Sequence, residues 1–398
     1  MPVEQFEQII TARTEGKPLD PPPGITAIQV EGPMVRVPMW GGRLHPWVVT
    51  RWEEARLILS SPHVSVESSN PGYPAVVPGA QPQARGFFAF QDAPVHTLFR
   101  RALAREFLVK RVEQLRAPTE RMSTRLIDAM IERGGPLDLV DALALPLPSL
   151  VICELLGVPY ADHDFFQDVA RTLVNSDNPP ERLQAAFQEL AGYIEDLVRQ
   201  KQRSPGDDVL SRLTPSISDG TFTVEDAANI GAMLLFAGHE TTANMISLGT
   251  VALLDHPDQI VHLHGGPAEV QNAVEELLRY LSVANIGIRR ATLGDITVGG
   301  QTIRAGDGVI IMPSAVNRDD TVFSEPDELD LTRENARRHL SFGYGIHQCL
   351  GQPLARMELQ TVLPALFQRL PGLRIAPGDT VRFKDQMAAG AAYLPVTW

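Results

Sequence analysis

Only two cysteines occur in the 398 residues, Cys153 and Cys349. Two thiols give no disulfide framework, so a reducing, cytoplasmic setting is expected, with any functional thiol kept free. Long apolar runs are also missing. The best candidate, residues 230–254, is interrupted by His239 and Glu240, and its unbroken apolar stretch falls far short of the roughly 20 residues that a membrane crossing needs. Residues 1–10 carry two glutamates and no succession of basic, apolar and small residues, which excludes a secretory signal. Positive charge is in deficit: 35 Lys and Arg face 48 Asp and Glu, a formal net charge of -13, which argues against general nucleic-acid binding. Linkers, repeats and low-complexity tracts are absent too. Residues 1–398 therefore read as one large, mainly α domain with small β-sheets, able to enclose a cofactor.

Residues 34–37 and 47–50 read as strands around Gly41-Gly42, followed by a helix at about 53–59; this opens a small β-rich part over about 30–60. Between Ser69 and Arg85 come four prolines and two glycines without periodicity, a long loop of the kind that usually carries function. Helical patterns follow over about 94–107, 118–133, 146–156, 161–174, 180–203, 223–254 and 268–280. Thr223 with Asp226 forms a variant capping box. Residues 283–312 return to strands, joined by Gly299-Gly300 and Gly306, and residues 391–398 read as a final strand.

The densest chemistry lies in Phe342-Gly343-Tyr344-Gly345-Ile346-His347-Gln348-Cys349-Leu350-Gly351. One cysteine sits in a glycine-rich loop just before an amphipathic helix, residues 350–370. A helix N-terminus favours a thiolate, and the glycines let the backbone approach a flat, bulky ligand. Haem is the ligand this arrangement points to. The alternative is a buried cysteine acting as a small hydrophobe, the reading that suits Cys153 within the apolar run 150–156.

In the long helix, Ala237-Gly238-His239-Glu240-Thr241-Thr242 breaks an apolar stripe with a glycine, an acid and two hydroxyls. Glycine costs about 1 kcal/mol there relative to alanine. A zinc-protease motif is excluded, because a second histidine would be needed at position 243 and Ala243 is there. Glu276 and Arg279 stand three apart on one helical face, within reach of each other.

The cysteine loop resembles the haem-thiolate signature of the cytochromes P-450, and the other motifs follow in that family's order over nearly the whole chain. The resemblance implies the cytochrome P-450 fold, with haem b on Cys349 as axial ligand and Phe342, Gly343 and Gly351 shaping the loop. It implies that Ala237 and Gly238 open a groove for dioxygen, that Thr241 hydrogen-bonds the oxygen being reduced, and that Glu240 connects the site to solvent protons. Heterolytic O–O cleavage needs thiolate push and positioned proton donors. Glu276, Arg279 and Arg333 match the family's buried structural triad, with Asn317-Arg318-Asp319 and residues 326–333 as its meander. His96, Arg100, Arg290 and His347 match the propionate partners, with Arg289 leaving a one-residue ambiguity. Asp92-Ala93-Pro94-Val95-His96 departs from the usual Asp-Pro-Pro-Glu-His.

Residues 145–163 and the ending Leu394-Pro395-Val396-Thr397-Trp398 look like the actinobacterial members that oxidise macrolides, other polyketides, vitamin D and herbicides. The activity implied is a monooxygenase that inserts one atom of O2 into a largely hydrophobic small molecule by hydroxylation or epoxidation, in secondary metabolism. A ferredoxin and an NAD(P)H-dependent ferredoxin reductase would supply the electrons. The alternatives are peroxygenase or nitric oxide reductase chemistry on the same haem, or a non-catalytic haem sensor. Arg100, Arg101, Arg105, Lys110, Arg111 and Arg116, with Arg337, Arg338 and Arg356, form either a docking face for the ferredoxin or solvated charged helices. For the substrate pocket the expected wall is Val77, Phe87, Phe236, Ile286, Ile288 and Met387, with Arg85 either receiving a polar end of the substrate or pointing into solvent.

Overall fold

In the computed structural model, which describes residues 6–10, 12–75, 84–174, 178–384 and 389–398, helices form the bulk of the chain and four small sheets flank them. The principal helices are α1 (Val95–Leu103), α2 (Arg116–Arg133), α3 (Pro146–Leu156), α4 (Pro180–Arg203), α5 (Val224–Asp255), α6 (Pro267–Leu281) and α7 (Gln352–Arg369). Among the described residues, no helix is long and apolar enough to cross a membrane.

Local signals in the sequence account for several ends of these helices. Thr223 Oγ1 accepts from the Asp226 backbone N–H, and the Asp226 carboxylate accepts from the Thr223 N–H, both at 2.9 Å. That reciprocal pair starts α5, the longest helix. Pro at the first turn opens α3, α4 and α6, where the missing N–H costs nothing. The ten-residue helix Val209–Ser218 is not legible from periodicity, because Pro215 lies inside it; its capping signal is Asp208, whose carboxylate accepts from the Ser211 N–H at 2.8 Å.

The main core gathers around α5, which packs against α3, α4, α6 and α7. Beside it, the five-stranded sheet uses β1 (Met34–Arg36), β2 (Trp47–Val49), β3 (Val64–Ser65), β4 (Ile288–Thr292) and β5 (Gly308–Ile311), in the spatial order β1-β2-β5-β4-β3. The β2–β5 pair is parallel and the others antiparallel. The N-terminal part and residues 283–312 thus meet in one sheet, as the two β-rich segments predict. A two-stranded ribbon, β6 (Arg382–Phe383) with β7 (Ala391–Tyr393), docks on α5.

One buried ionic unit ties the helices to the segment before the cysteine loop. Glu276 accepts from Arg279 Nε and Nη2, both at 2.7 Å, and from Arg333 Nε at 3.1 Å. Both Glu276 and Arg279 are fully buried. Arg279 also donates to the carbonyls of Asn317, Pro326 and Glu328, and Arg333 to those of Ser324, Glu325 and Glu328. The two guanidiniums therefore pin irregular backbone that has no ladder of its own, and every lone pair on Glu276 counts. Removing the carboxylate leaves two buried cations unmatched. Glu276→Ala should lower unfolding stability by about 3–5 kcal/mol, read by urea titration; a loss below about 1 kcal/mol would show the unit to be dispensable.

Candidate active site

Cys349 lies in a loop built for close backbone approach. Its N–H donates to the Phe342 carbonyl at 2.8 Å, closing the loop between them. Gly343 and Gly345 take φ of 68° and 75°, values that glycine alone adopts without cost; a Cβ on Gly345 would collide with the Leu59 carbonyl. Three residues after Cys349, α7 begins. The side chain is exposed, yet protein surrounds it densely enough to desolvate the thiol, so the exposure is toward the interior. Burial pushes the thiol pKa up. The Gly351 N–H, Arg100, Arg356 and the Gln352 N–H pull the other way without overcoming it. The N–H groups at the start of α7 thus pull toward the thiolate, as the sequence position predicts, while burial opposes them; a bound metal cation would add to that pull. Cys153, fully buried in α3 with its thiol pKa also pushed up by burial, is core.

The second element is the middle of α5. From residue 226 to residue 253 every position is buried or half-buried except Phe236, Ala237 and Thr241, which are exposed and share one side of the helix. That side of α5 is left uncovered by the helices packed around it, which leaves a hollow beside the helix. Thr241 Oγ1 donates to the Ala237 carbonyl at 2.8 Å. Gly238 does not share the face equally: a Cβ there would lie 2.8 Å from Ile152 Cδ1. Its small size therefore serves the approach of α3, and the groove expected of the pair falls to Ala237. His239 is buried, with Nε2 at 2.9 Å from the Leu145 carbonyl oxygen, and acts in packing. Glu240 turns to the flank, where Lys384 Nζ donates to it at 3.3 Å.

Around the loop, basic side chains crowd together. The rings of His96 (α1) and His347 lie 4.1 Å apart between centroids. Arg100, one turn after His96, donates to the Gln348 carbonyl at 2.6 Å. Arg290 on β4 is buried, its Nη1 donating to the Arg289 carbonyl at 2.7 Å. Alternation along the strand settles the one-residue ambiguity. Arg289 points the other way, donating to the Pro74 carbonyl and lying 5.8 Å from the Phe6 ring, whereas Arg290 acts on both histidines. Burial, then His96, Arg290 and Arg100, drive the His347 pKa down to about 3. Burial, then Arg100 and Arg290, lower His96 against the pull of Asp92. Both ring nitrogens of His96 and Nδ1 of His347 are buried without a hydrogen-bond partner among the described residues.

Desolvated donors with one carboxylate, Asp92, among them are a site for added anions. Among the described residues no three His, Cys, Asp or Glu gather into a metal site, so a metal here would arrive in its own chelate. A planar iron macrocycle with two carboxylates fits: one thiol for the metal, an interior hollow for the plane, and orphaned donors for the carboxylates.

Sequence reasoning missed the brace behind the loop. Glu275 accepts from Arg356 Nε and Nη2 at 2.7 and 3.1 Å, and its carboxylate lies 3.0 Å from His339 Nε2. The Arg356 guanidinium covers the Phe342 ring at 4.6 Å. Helix α6 thus grips the loop through Glu275 while the adjacent Glu276 grips the meander, and the doubled acid was the available signal.

The pocket residues scatter. Phe236 faces the hollow. Phe87 is buried with its ring 5.9 Å from Phe187, Ile288 packs near Gly343, and Ile286 packs on the N-terminal cluster around Phe6 and Met312. Val77 and Met387 lie outside the described residues. Arg85 finds its carboxylate inside the chain: Asp226 lies 3.6 Å away, and Phe99 beneath the guanidinium at 5.6 Å.

Burial alone would push the Glu275 carboxyl up, but His339 and Arg356 hold it down at about 2, against an ordinary 4.5. A depressed carboxylate pKa stabilises the fold fully above 4.5, and that share is lost as pH falls toward 2. The stability difference between wild type and Glu275→Gln should therefore shrink from about 3 kcal/mol near pH 6 toward zero across that window. A difference independent of pH would assign the effect to packing instead.

Comparison with known proteins agrees with this geometry. The family model described as Cytochrome P450 matches residues 270–391. The chain is 45% identical to cytochrome P450 GfsF of Streptomyces halstedii over 100% of its own length and 97% of that protein. To a vitamin D3 dihydroxylase of Streptomyces griseolus it is 44% identical over 92% and 91% of the two chains. Among solved structures, CYP105P1 in complex with filipin I superposes with a TM-score of 0.88 at 40% identity, over 97% and 98% of the two chains. With relatives of this identity and coverage, the chain belongs to the cytochrome P450 family of monooxygenases, which carry haem b.

Proposed function

We propose that this protein inserts one atom of O2 into a largely hydrophobic small molecule, by hydroxylation or epoxidation, within secondary metabolism, and that it draws electrons from a ferredoxin served by an NAD(P)H-dependent reductase. The observation that carries this reading is the adjacent acid and alcohol on α5. Thr241 lies on the exposed inner face and Glu240 on the flank, a pair that peroxide-driven and nitric-oxide-reducing enzymes do not need.

When bound, haem supplies the reduction of dioxygen and the transfer of one oxygen atom. The chain supplies the rest. Cys349 would hold the iron; His96, Arg100, Arg290 and His347 would hold the carboxylates. With its own proton given to the Ala237 carbonyl, Thr241 Oγ1 offers lone pairs to the hollow and orients a hydroxyl or water there. Glu240 returns protons to that point. Phe236 gives the hollow an aromatic wall, which favours an apolar guest. The names of relatives point the same way: vitamin D3 dihydroxylase, pentalenic acid synthase and 20-oxo-5-O-mycaminosyltylactone 23-monooxygenase.

For the electron donor, the structure sorts the basic residues. Arg100, Arg111, Arg116 and Arg356 are engaged within the chain. Arg101, Arg105, Lys110, Arg337 and Arg338 are exposed, and Leu108 and Val109 stand exposed among the first three. A basic rim around an apolar centre suits an acidic ferredoxin.

With ferredoxin, reductase and labelled O2, product should carry one labelled oxygen. Cys349→Ala should abolish the thiolate-type spectrum of the reduced carbon monoxide complex, and survival of that spectrum would overturn the ligand assignment. Thr241→Ala should keep haem and substrate binding while product per NADPH falls severalfold. Glu240→Gln, unable to pass a proton, should slow turnover by about 100-fold; wild-type turnover and coupling in both variants would remove the pair from the mechanism.

A further inference from the structure

The partner of Glu240 comes from an unexpected part of the chain. Lys384, at the end of β6, reaches α5 with its ammonium, which donates to Glu240 Oε1 at 3.3 Å and to Asn244 Oδ1 at 2.9 Å. Those two acceptors are one helical turn apart, so a single cation spans them. The Lys384 and Glu240 side chains are only 10% and 18% exposed, which removes this pair from the class of surface ion pairs worth little.

The lysine backbone is fixed from both sides. Its N–H donates to the Gly390 carbonyl at 2.9 Å, and Arg13 Nη2 donates to its carbonyl at 2.8 Å. A Cβ on Gly390 would collide with the Asn244 carboxamide, so the ribbon sits as close to α5 as backbone allows.

Behind this cluster lies a cavity of about 30 Å³, lined by Arg13, Asp20, Leu248, Ser282, Asn285 and Lys384 and covered by residues 12–22. That space takes a water or two, and its polar lining gives each the partners it needs. An ammonium has three donors. Two go to Glu240 and Asn244, leaving one for the cavity.

We propose that Lys384 is a positioning residue for proton delivery: its ammonium lines the cavity beneath residues 12–22 and bonds Glu240, fixing the carboxylate on the side of α5 from which protons arrive. The inference rests on the relay role given to Glu240 above. Each proton that Glu240 passes toward Thr241 leaves its carboxylate one proton short. A cavity water replaces it and is itself replenished from bulk water. The ammonium keeps its protons throughout; it orients and does not transfer. Lysine suits this task better than arginine, since a compact charge with rotatable donors tolerates movement of the carboxylate that a rigid fork resists.

The test uses the holoenzyme with its redox partners. Lys384→Met should leave the carbon monoxide spectrum and substrate affinity unchanged, lower product per NADPH at least twofold and change the solvent deuterium isotope effect on turnover; Lys384→Arg should restore most of the coupling. A second readout needs no turnover. The chain has four lysines, Lys17, Lys110, Lys201 and Lys384, so amine acetylation followed by mass spectrometry resolves each one. Lys384 should label more slowly than the exposed Lys110, and Glu240→Ala should raise its rate several-fold relative to Lys110.

If Glu240→Gln turns over like wild type, the relay reading falls and this inference with it. If Glu240→Gln is slow while Lys384→Met keeps wild-type coupling and isotope effect, the Lys384 assignment alone is overturned. Should Lys384→Met not fold, the arginine variant and the labelling decide, and a Lys384 that labels as fast as Lys110 in wild type overturns the pairing.

Discussion

Desolvation around the cysteine loop sets the terms for the parts near it. Burial drives the Cys349 thiol, the rings of His96 and His347 and the guanidiniums of Arg100 and Arg290 toward their neutral forms, and among the described residues Asp92 is the one carboxylate set against these basic groups. A chain that keeps four basic groups in such surroundings must recover the cost elsewhere. A bound haem would supply that recovery, with a metal for the thiol and carboxylates for the orphaned donors. Helices α5, α6 and α7, the five-stranded sheet and the meander all hold that centre open against collapse. The two buried acids, Glu275 and Glu276, do this by tying α6 to the loop and to the meander in turn.

What was legible in the sequence was local. The cysteine loop, the Thr223–Asp226 box, the proline-opened helices and the Glu276–Arg279 pair all show themselves within a few residues, because caps, turns and neighbours on one helical face need only short-range information. Strand alternation then decided between Arg289 and Arg290, a choice that required knowing which side of β4 faces the loop. Sequence alone leaves two readings open where one residue type serves either. Gly238 also lets Ile152 approach, since a Cβ there would lie 2.8 Å from its Cδ1. Arg85, read as either a substrate anchor or a solvent-facing charge, is half exposed and lies 3.6 Å from Asp226 at the N-terminal turn of α5.

Long-range pairings were invisible for a different reason. Glu275 meets Arg356 across 81 positions of sequence, and Glu240 meets Lys384 across 144. Nothing in the composition near either acid marks its partner, because an ion pair between distant segments leaves no periodicity. Only the fold supplies the juxtaposition, and so the polar flank of α5 emerges from the docking of the β6–β7 ribbon rather than from α5 itself.

That flank also shows why an acid and an alcohol serve best as sequence neighbours. Successive residues on an α-helix point about 100° apart, so two adjacent side chains cannot share one environment on a helix packed on several sides. On α5 this divides the labour: Thr241 is turned to the interior hollow, while Glu240 is turned to the seam with the ribbon, where Lys384 and the polar cavity lie. Under the proposed relay, the alcohol would meet the reacting groups on one side of α5 while the carboxylate one residue away draws protons from the other. A spacing of three or four residues would put both groups on one face, and either the acid would be stranded in the dry hollow or the alcohol would be drawn into the wet seam.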